Sequence, residues 1–399
     1  MTAKDRIQRL AHEKLPKWRE VRRHLHQNPE LSFKEYKTQE FIIHKLKEIG
    51  IQDIETCTET GVVALIKGNN PQRKTVALRG DIDALPILEE NSAEYSSKNS
   101  GVMHACGHDV HTTCVLAAAE ILNELKTDFS GTVKLIFQPG EERLPGGASL
   151  MIKDGVLENP PVDVAYGQHV MPLIDAGKVG FRKGLYMASA DEIYITIKGK
   201  GGHGAHPHMN IDPIAISAQV ITSLQTIVSR RSKPATPSVL SIGKIVGNGA
   251  TNIIPDQVYM EGTFRTFDEK WRAEAHQLIQ QQVEQMAVAM GASAEVDIRK
   301  GYPFLKNDEN TTEQAQRWAE EYLGKENVEQ LDIWPAGEDF AFFSQEVPSC
   351  FYRLGTRNES KGINSMLHTP TFDVDESAIE VGGGLMAWIA FCKLNDTSS

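Results

Sequence analysis

The sequence predicts an α/β fold with a mixed sheet and a second, smaller module let into it. Three observations carry that expectation. First, GVVALIKG (61–68), TVALRGD (75–81), GTVKLIFQPG (131–140) and VDVAYGQHV (162–170) are apolar almost throughout and lead into turn residues, with helical runs between several of them. Strands of that kind belong to a sheet covered on both faces. Second, the style changes near residue 185. DEIYITIKGKG alternates as a strand, 211–230 is helical, SVLSIGKIVG and DQVYMEGTFRTFD are strands, 268–291 is a long helix and AEVDIRK a last strand. That βαββαβ order is the ferredoxin-like one. Third, the first style returns after residue 300, with SCFYRLG as a strand and DESAIEVGGGLMAWIAFCKL as the closing helix. The simplest arrangement is one domain built from 1–184 and 301–399, with 185–300 inserted. A chain of 399 residues agrees with two domains, since single cores stop growing near ~250–300 residues.

Along the chain, residues 15–48 read as helix, interrupted at Pro29. The opening MTAKDRIQRLAHEKLPKWRE is charged and amphipathic and carries no apolar core of signal-peptide length. The longest apolar stretches fall short of the ~18 residues that span a bilayer. Residues 109–126 form a helix in which Cys114 reads as a buried apolar residue. The five cysteines, at 57, 106, 114, 350 and 392, form no CxxC pair, which points to reduced thiols and a cytoplasmic chain. A net charge of −11 sets nucleic acid and anionic membrane aside as main partners, because both repel an acidic surface.

The chemistry gathers around HACGHDVH (104–111). Open α/β sheets bind ligands at the carboxyl ends of their strands. There VALRG runs into Asp81 and Asp83, VKLIFQPG into Glu141 and Glu142, and DVAYGQ into His169, while SMLHTP offers His368. Each has an ordinary reading alone. Asp81 and Asp83 serve as turn and cap residues, Glu141 and Glu142 as a solvated loop face, His169 as a half-buried core histidine. Together those readings require a coincidence at every position of one sheet edge. Cys106 and His108, spaced i,i+2 around Gly107, face one ion. Cysteine, histidine and carboxylate suit zinc, or manganese, cobalt or nickel. Adjacent glutamates point apart, so one holds metal while the other takes a proton from water acidified there. A Cys106 nucleophile activated by His108 is the competing chemistry, and it leaves Glu142, His169 and His368 without roles.

GKGGHG (199–204) fits a dinucleotide fingerprint, but no Asp or Glu lies between 213 and 255 to meet a ribose, so that reading is rejected. What remains is a loop carrying His203, His206 and His208. His203 suits stabilisation of an oxyanion. In the same module GATNIIPD places Asn252 in a turn, and EGTFRTFD places Arg265 at a strand end, suited to a two-pronged grip on a carboxylate.

With these residues in hand, the chain resembles the aminoacylase and carboxypeptidase superfamily of metallo-amidohydrolases. The nearest branch is that of hippurate hydrolase, N-acetyl-diaminopimelate deacetylase and the indole-acetyl-amino-acid hydrolases. RRHLHQNPELSF (22–33), RGDIDALPI (79–87), HACGHD (104–109), QPGEE (138–142), GQHV (167–170), GKGGHGAHPH (199–208), TNIIPD (251–256) and LHTPTFDVDE (367–376) carry the likeness nearly end to end. The resemblance implies a zinc-peptidase-like catalytic domain, an inserted satellite domain through which such chains dimerise, and a pair of divalent metal ions. Cys106, His108, Glu142, His169 and His368 match the family's ligands, Glu141 its base, and Asp83 the acid behind a ligand. Cys106 would bridge, with His108 and His169 on one ion and Glu142 and His368 on the other. His203 matches a histidine contributed from the inserted domain, in some members to a neighbouring subunit. Two departures stand out: Asp81 where many relatives have a histidine ligand, and Arg143, Leu144 and Pro145 where glycines are common, which bears on the acyl group preferred. The implied reaction is hydrolysis of an N-acyl amino acid. A dipeptidase or carboxypeptidase acting on short peptides is the alternative, and an inactive ligand-binding relative a more distant one.

Overall fold

The computed structural model describes residues 1–396. The first helix, α1 (Ala3–Gln27), starts well before residue 15, the expected position. Thr2 and Asp5 form a reciprocal capping box that anchors its first turn. Pro16 sits inside the helix. The helical run does break beside Pro29, and α2 (Tyr36–Glu48) follows.

Next come β1 (Ile54–Cys57), β2 (Gly61–Lys67) and β3 (Thr75–Asp81), then α3 (His108–Glu124), β4 (Thr132–Gln138), β5 (Val164–Asp175) and β6 (Val179–Phe181). After residue 184 the path is β7 (Asp191–Lys198), α4 (Pro213–Thr226), β8 (Ser238–Val246), β9 (Gln257–Thr266), α5 (Glu269–Ala289) and β10 (Ser293–Lys300). The chain ends through α6 (Glu309–Leu323), β11 (Val328–Gln330), β12 (Ser349–Arg357) and α7 (Ala378–Asn395).

Two compact units result. One comprises Met1–Gly184, Lys306–Ile333 and the chain from Asp339 onward. It holds a mixed sheet in the order β1-β2-β4-β3-β5-β12-β6-β11. Its centre is parallel: β3 pairs with β4 in register from Thr75↔Thr132 to Asp81↔Gln138, and with β5 on its other side up to Arg79↔Gly167. Every residue of β3 and β4 is buried, as covering on both faces demands. Helices α3 and α7 pack on each other and on β3. A Cβ added at Gly383 of α7 would lie 2.6 Å from the Ala117 Cβ of α3, so this close approach needs glycine.

The other unit comprises Leu185–Leu305 and Trp334–Glu338. Its antiparallel sheet runs β8-β9-β7-β10. Ile193, Ile195 and Ile197 alternate inward along β7 and meet Val220 and Leu224 of α4 and Ile279 and Val283 of α5 in a separate core. Among the described residues no helix is long and apolar enough to cross a membrane.

Candidate metal centre

Adjacent parallel strands deliver the site. β4, β3 and β5 lie side by side, so the chain leaving β4 brings Glu141 and Glu142, and the chain leaving β3 brings Asp83, to the edge where His169 stands. His169 lies inside β5, which runs on to Asp175, and not after the strand as the sequence suggested. The parallel partner β12 continues beside it, pairing Arg353 with His169.

Cys106 and His108 flank Gly107, the residue before α3. Gly107 has φ +78°, and a Cβ there would strike Val170 Cγ2 at 2.5 Å. Only glycine lets this loop turn and press against β5. Cys106 Sγ then lies 3.4 Å from His169 Nε2 and 3.2 Å from His368 Nε2. His368 takes φ +62°, strained for a residue with a side chain, and its N–H donates to Ala105 O at 2.8 Å. Its Nε2 is also 3.1 Å from Glu142 Oε1. Two three-donor groups emerge, Cys106/His108/His169 and Cys106/Glu142/His368, with the ligand atoms of each within 4.8 Å of one another and the cysteine common to both.

The tautomers are set by hydrogen bonds. His169 Nδ1 lies 2.8 Å from Val170 O, which takes its proton and leaves Nε2 with a lone pair. His108 Nδ1 lies 3.1 Å from Asp83 Oδ1, which leaves its Nε2 as the free nitrogen. Asp83 Oδ2 accepts from Ser32 Oγ at 2.7 Å and from the Glu142 N–H at 3.0 Å.

His108 Nε2 is buried with no hydrogen-bond partner among the described residues, and Glu142 Oε1, also buried, has only its close contact with His368 Nε2. An orphaned buried group costs about 1–3 kcal/mol, so a nitrogen left without a partner beside a thiol and carboxylates fits a cation. The electrostatics agree. Burial opposes charge on His108, yet Asp81 and Asp83 raise its pKa to about 10, the mark of surrounding negative charge that a cation could offset in the proton's place. Burial first, then Glu142, Glu141 and Asp81, hold the Cys106 thiol well above its ordinary value. A thiol so placed is no activated nucleophile, whereas a coordinated cation would strip its proton. The residues therefore fit divalent ions better than they fit a Cys106 nucleophile activated by His108.

Several organising residues carried no signal that the sequence reading used. Arg79 binds Asp81 Oδ2 at 2.6 Å, Asp339 Oδ1 at 2.7 Å and Gln138 Oε1 at 2.8 Å. Asp339 in turn offers its N–H to Glu141 Oε1 at 3.4 Å. Glu35 accepts from the Gly140 and Phe33 N–H groups, each at 2.9 Å, and from Thr60 Oγ1 at 2.7 Å, fastening the loop before the paired glutamates. Burial, then Asp83, lifts its carboxyl to about 7. Arg22 and His26 of α1 both reach Asp109 Oδ2, at 2.7 and 2.8 Å, and clamp the start of α3. Their motif was legible; their partner was not. His111 follows His108 by three residues on α3, a spacing that would have placed it on the same face.

His203, Asn252 and Arg265 belong to the other unit. His203 and Asn252 are exposed and adjacent, with the Gly204 N–H bonded to Asn252 O at 2.9 Å. Arg265 is half-buried, bonds Thr263 Oγ1 at 3.1 Å, and has no carboxylate within ion-pair distance among the described residues.

The sequence model of peptidase family M20/M25/M40 matches residues 77–390. The N-acyl-L-amino acid amidohydrolase of Geobacillus stearothermophilus is 46% identical over 307 residues, 77% of this chain and 82% of that protein. The N-acetyl-L-cysteine deacetylase of Bacillus subtilis (strain 168) is 43% identical over 361 residues, 90% of this chain and 84% of that protein. The crystal structure of the Bacillus subtilis YXEP protein, described as a dinuclear metal binding peptidase, superposes with a TM-score of 0.82 at 35% identity, covering 96% of this chain and 99% of that one.

Proposed function

The chain belongs to peptidase family M20/M25/M40, and we propose that it is a metal-dependent amidohydrolase cleaving N-acyl amino acids to a carboxylic acid and a free amino acid. The relatives named for N-acyl amino acids and N-acetylcysteine support this substrate class. The observation that carries the reading is the pair of three-donor groups sharing Cys106, beside an acidic residue, Glu141, that belongs to neither.

In this proposal His108 and His169 would hold one ion and Glu142 and His368 the other, with Cys106 a donor common to both sets. Two divalent ions supply Lewis acidity, acidifying water and polarising a carbonyl. Zinc or manganese suits the donor set, with nickel or cobalt also compatible. Glu141, its carboxylate oriented by the Asp339 N–H, takes the proton of the attacking water and returns it to the leaving nitrogen. His203 steadies the oxyanion, and Arg265 with Asn252 holds the amino acid's carboxylate. That the Arg265 guanidinium meets Thr263 Oγ1 but no carboxylate among the described residues supports that assignment. We read the unit at 185–300 as a ferredoxin-like satellite, supported by its βαββαβ path, and as the surface through which the chain pairs into a homodimer. Five free thiols support a cytoplasmic setting.

The test is Glu141→Gln, assayed for metal content and amine release over acetyl, benzoyl and indole-acetyl conjugates beside dipeptides. Two ions should remain while kcat falls at least ~100-fold. A kcat within about tenfold of the parent removes Glu141 as base. Dipeptides cleaved ahead of every acyl conjugate would move the assignment to a peptidase.

A further inference from the structure

Asp81, His108 and His111 also gather three potential donors, but His111 has none to spare. It is fully buried. Its Nε2 lies 2.8 Å from the Val170 nitrogen, and a peptide N–H can only donate, so that ring nitrogen carries a lone pair. Its Nδ1 therefore holds the proton and gives it to Asp81 Oδ1 at 2.6 Å. Both nitrogens are committed. Asp81 remains a carboxylate because Arg79 stands against its other oxygen, so it dictates which tautomer His111 adopts.

The reason for this bond lies in the sheet. β3 ends at Asp81, and its ladder with β5 stops at Arg79↔Gly167. Val170 lies beyond that point, where no strand residue remains to receive its N–H on the β3 side. His111, a turn into α3, substitutes an imidazole for the missing carbonyl. The other polar atom of the same residue, Val170 O, accepts the Nδ1 proton of His169. Residue 170 is thus gripped at its nitrogen by one histidine and at its oxygen by another. The two rings lie 4.5 Å apart.

We propose that His111 is a positioning residue: acting through the Val170 backbone, with Asp81 setting its tautomer, it fixes the lone pair of His169 towards Cys106. The proposal rests on the metal-binding reading above, and it assigns work to two residues that bind neither ion nor substrate. Partners that orient a ligand histidine change metal affinity by about 10–100-fold when lost.

The test uses the full chain and cobalt(II), titrated into metal-free protein and followed by visible absorption, alongside imidazole ¹⁵N spectra. Wild type should take up two ions, with His111 Nε2 unprotonated before metal is added. His111→Phe should weaken one of the two ions about 10–100-fold and leave the other close to wild type. His111→Gln, which keeps an acceptor for Val170, should recover most of the loss. Asp81→Asn is nearly isosteric, but its one carbonyl oxygen cannot serve both Arg79 and the His111 Nδ1 proton, so it should weaken the same ion and change the His111 imidazole ¹⁵N spectrum. Two wild-type affinities in both His111→Phe and Asp81→Asn overturn the inference while leaving the metal reading intact. A wild-type protein that binds no cobalt removes the metal reading, and this inference with it.

Discussion

At the scale of single residues, Asp83 joins the two halves of the site. One carboxylate oxygen sets the His108 tautomer, and the other holds the Glu142 backbone and Ser32. Asp83→Ala should cost about 10–100-fold in metal affinity, measured by competition with a chelator of known strength. Asp83→Asn, which can still accept from His108, should lose less. Equal affinity in wild type and Asp83→Ala would show that His108 needs no such support. The candidate donors that the structure gathers were legible in the sequence, because Cys, His and Glu in strand-end loops are few and chemically distinctive. Their supports were not. Asp339, Glu35 and His111 act through backbone groups of other segments, and such bonds leave no spacing to read.

At the scale of elements, legibility followed length and periodicity. β3, β4 and the closing helix were evident as long apolar runs, whereas β6 and β11 are three residues each and too short for any period. Helix α6 was passed over although Asp308 caps it by accepting from the Thr311 N–H. Its boundaries fall where the chain re-enters the first unit, and the surrounding composition hides them. Helix α7 poses the converse case. Three consecutive glycines, each about 1 kcal/mol worse than alanine, argue against a helix. The helix forms because Gly382 and Gly383 let it close on α3, where added Cβ atoms would meet Cys114 Sγ and Ala117 Cβ, both at 2.6 Å. Gly383→Val should therefore destabilise the protein by about 1–3 kcal/mol through overpacking, despite a better helix propensity. Urea unfolding monitored by far-UV circular dichroism checks this. A gain in stability would mean that α3 and α7 have slack that this geometry denies.

At the scale of the whole molecule, the chain carries two cores, and the second depends on a buried charge cluster in a way that pH exposes. Asp191, at the start of β7, is buried and contacts Arg272 Nε at 2.9 Å, His276 Nε2 at 2.7 Å and the Gly301 N–H at 3.1 Å. Arg272 is buried with it. The alternation of β7 foretold the core, but an aspartate at a strand start gives no hint of an arginine eighty-one positions on. Burial alone would raise the Asp191 pKa; the bonds from His276 and Arg272 outweigh it and hold the carboxyl below its ordinary value. A depressed carboxyl contributes stability that is fully present above the unfolded value of about 3.9 and is lost as pH falls through the lower folded one. Asp191→Asn should thus cost about 3–5 kcal/mol at pH 7, since among the described residues Arg272 then keeps Glu269 alone as an ion-pair partner. The difference from wild type should narrow below pH 4. Hydrogen exchange locates the effect: amides of β7, β9 and β10 should lose protection in Asp191→Asn while those of β3, β4 and β5 keep theirs. Loss spread evenly over both sheets would mean that the two cores unfold as one, and a difference unchanged down to pH 3 would mean that the carboxylate charge was not what held the cluster.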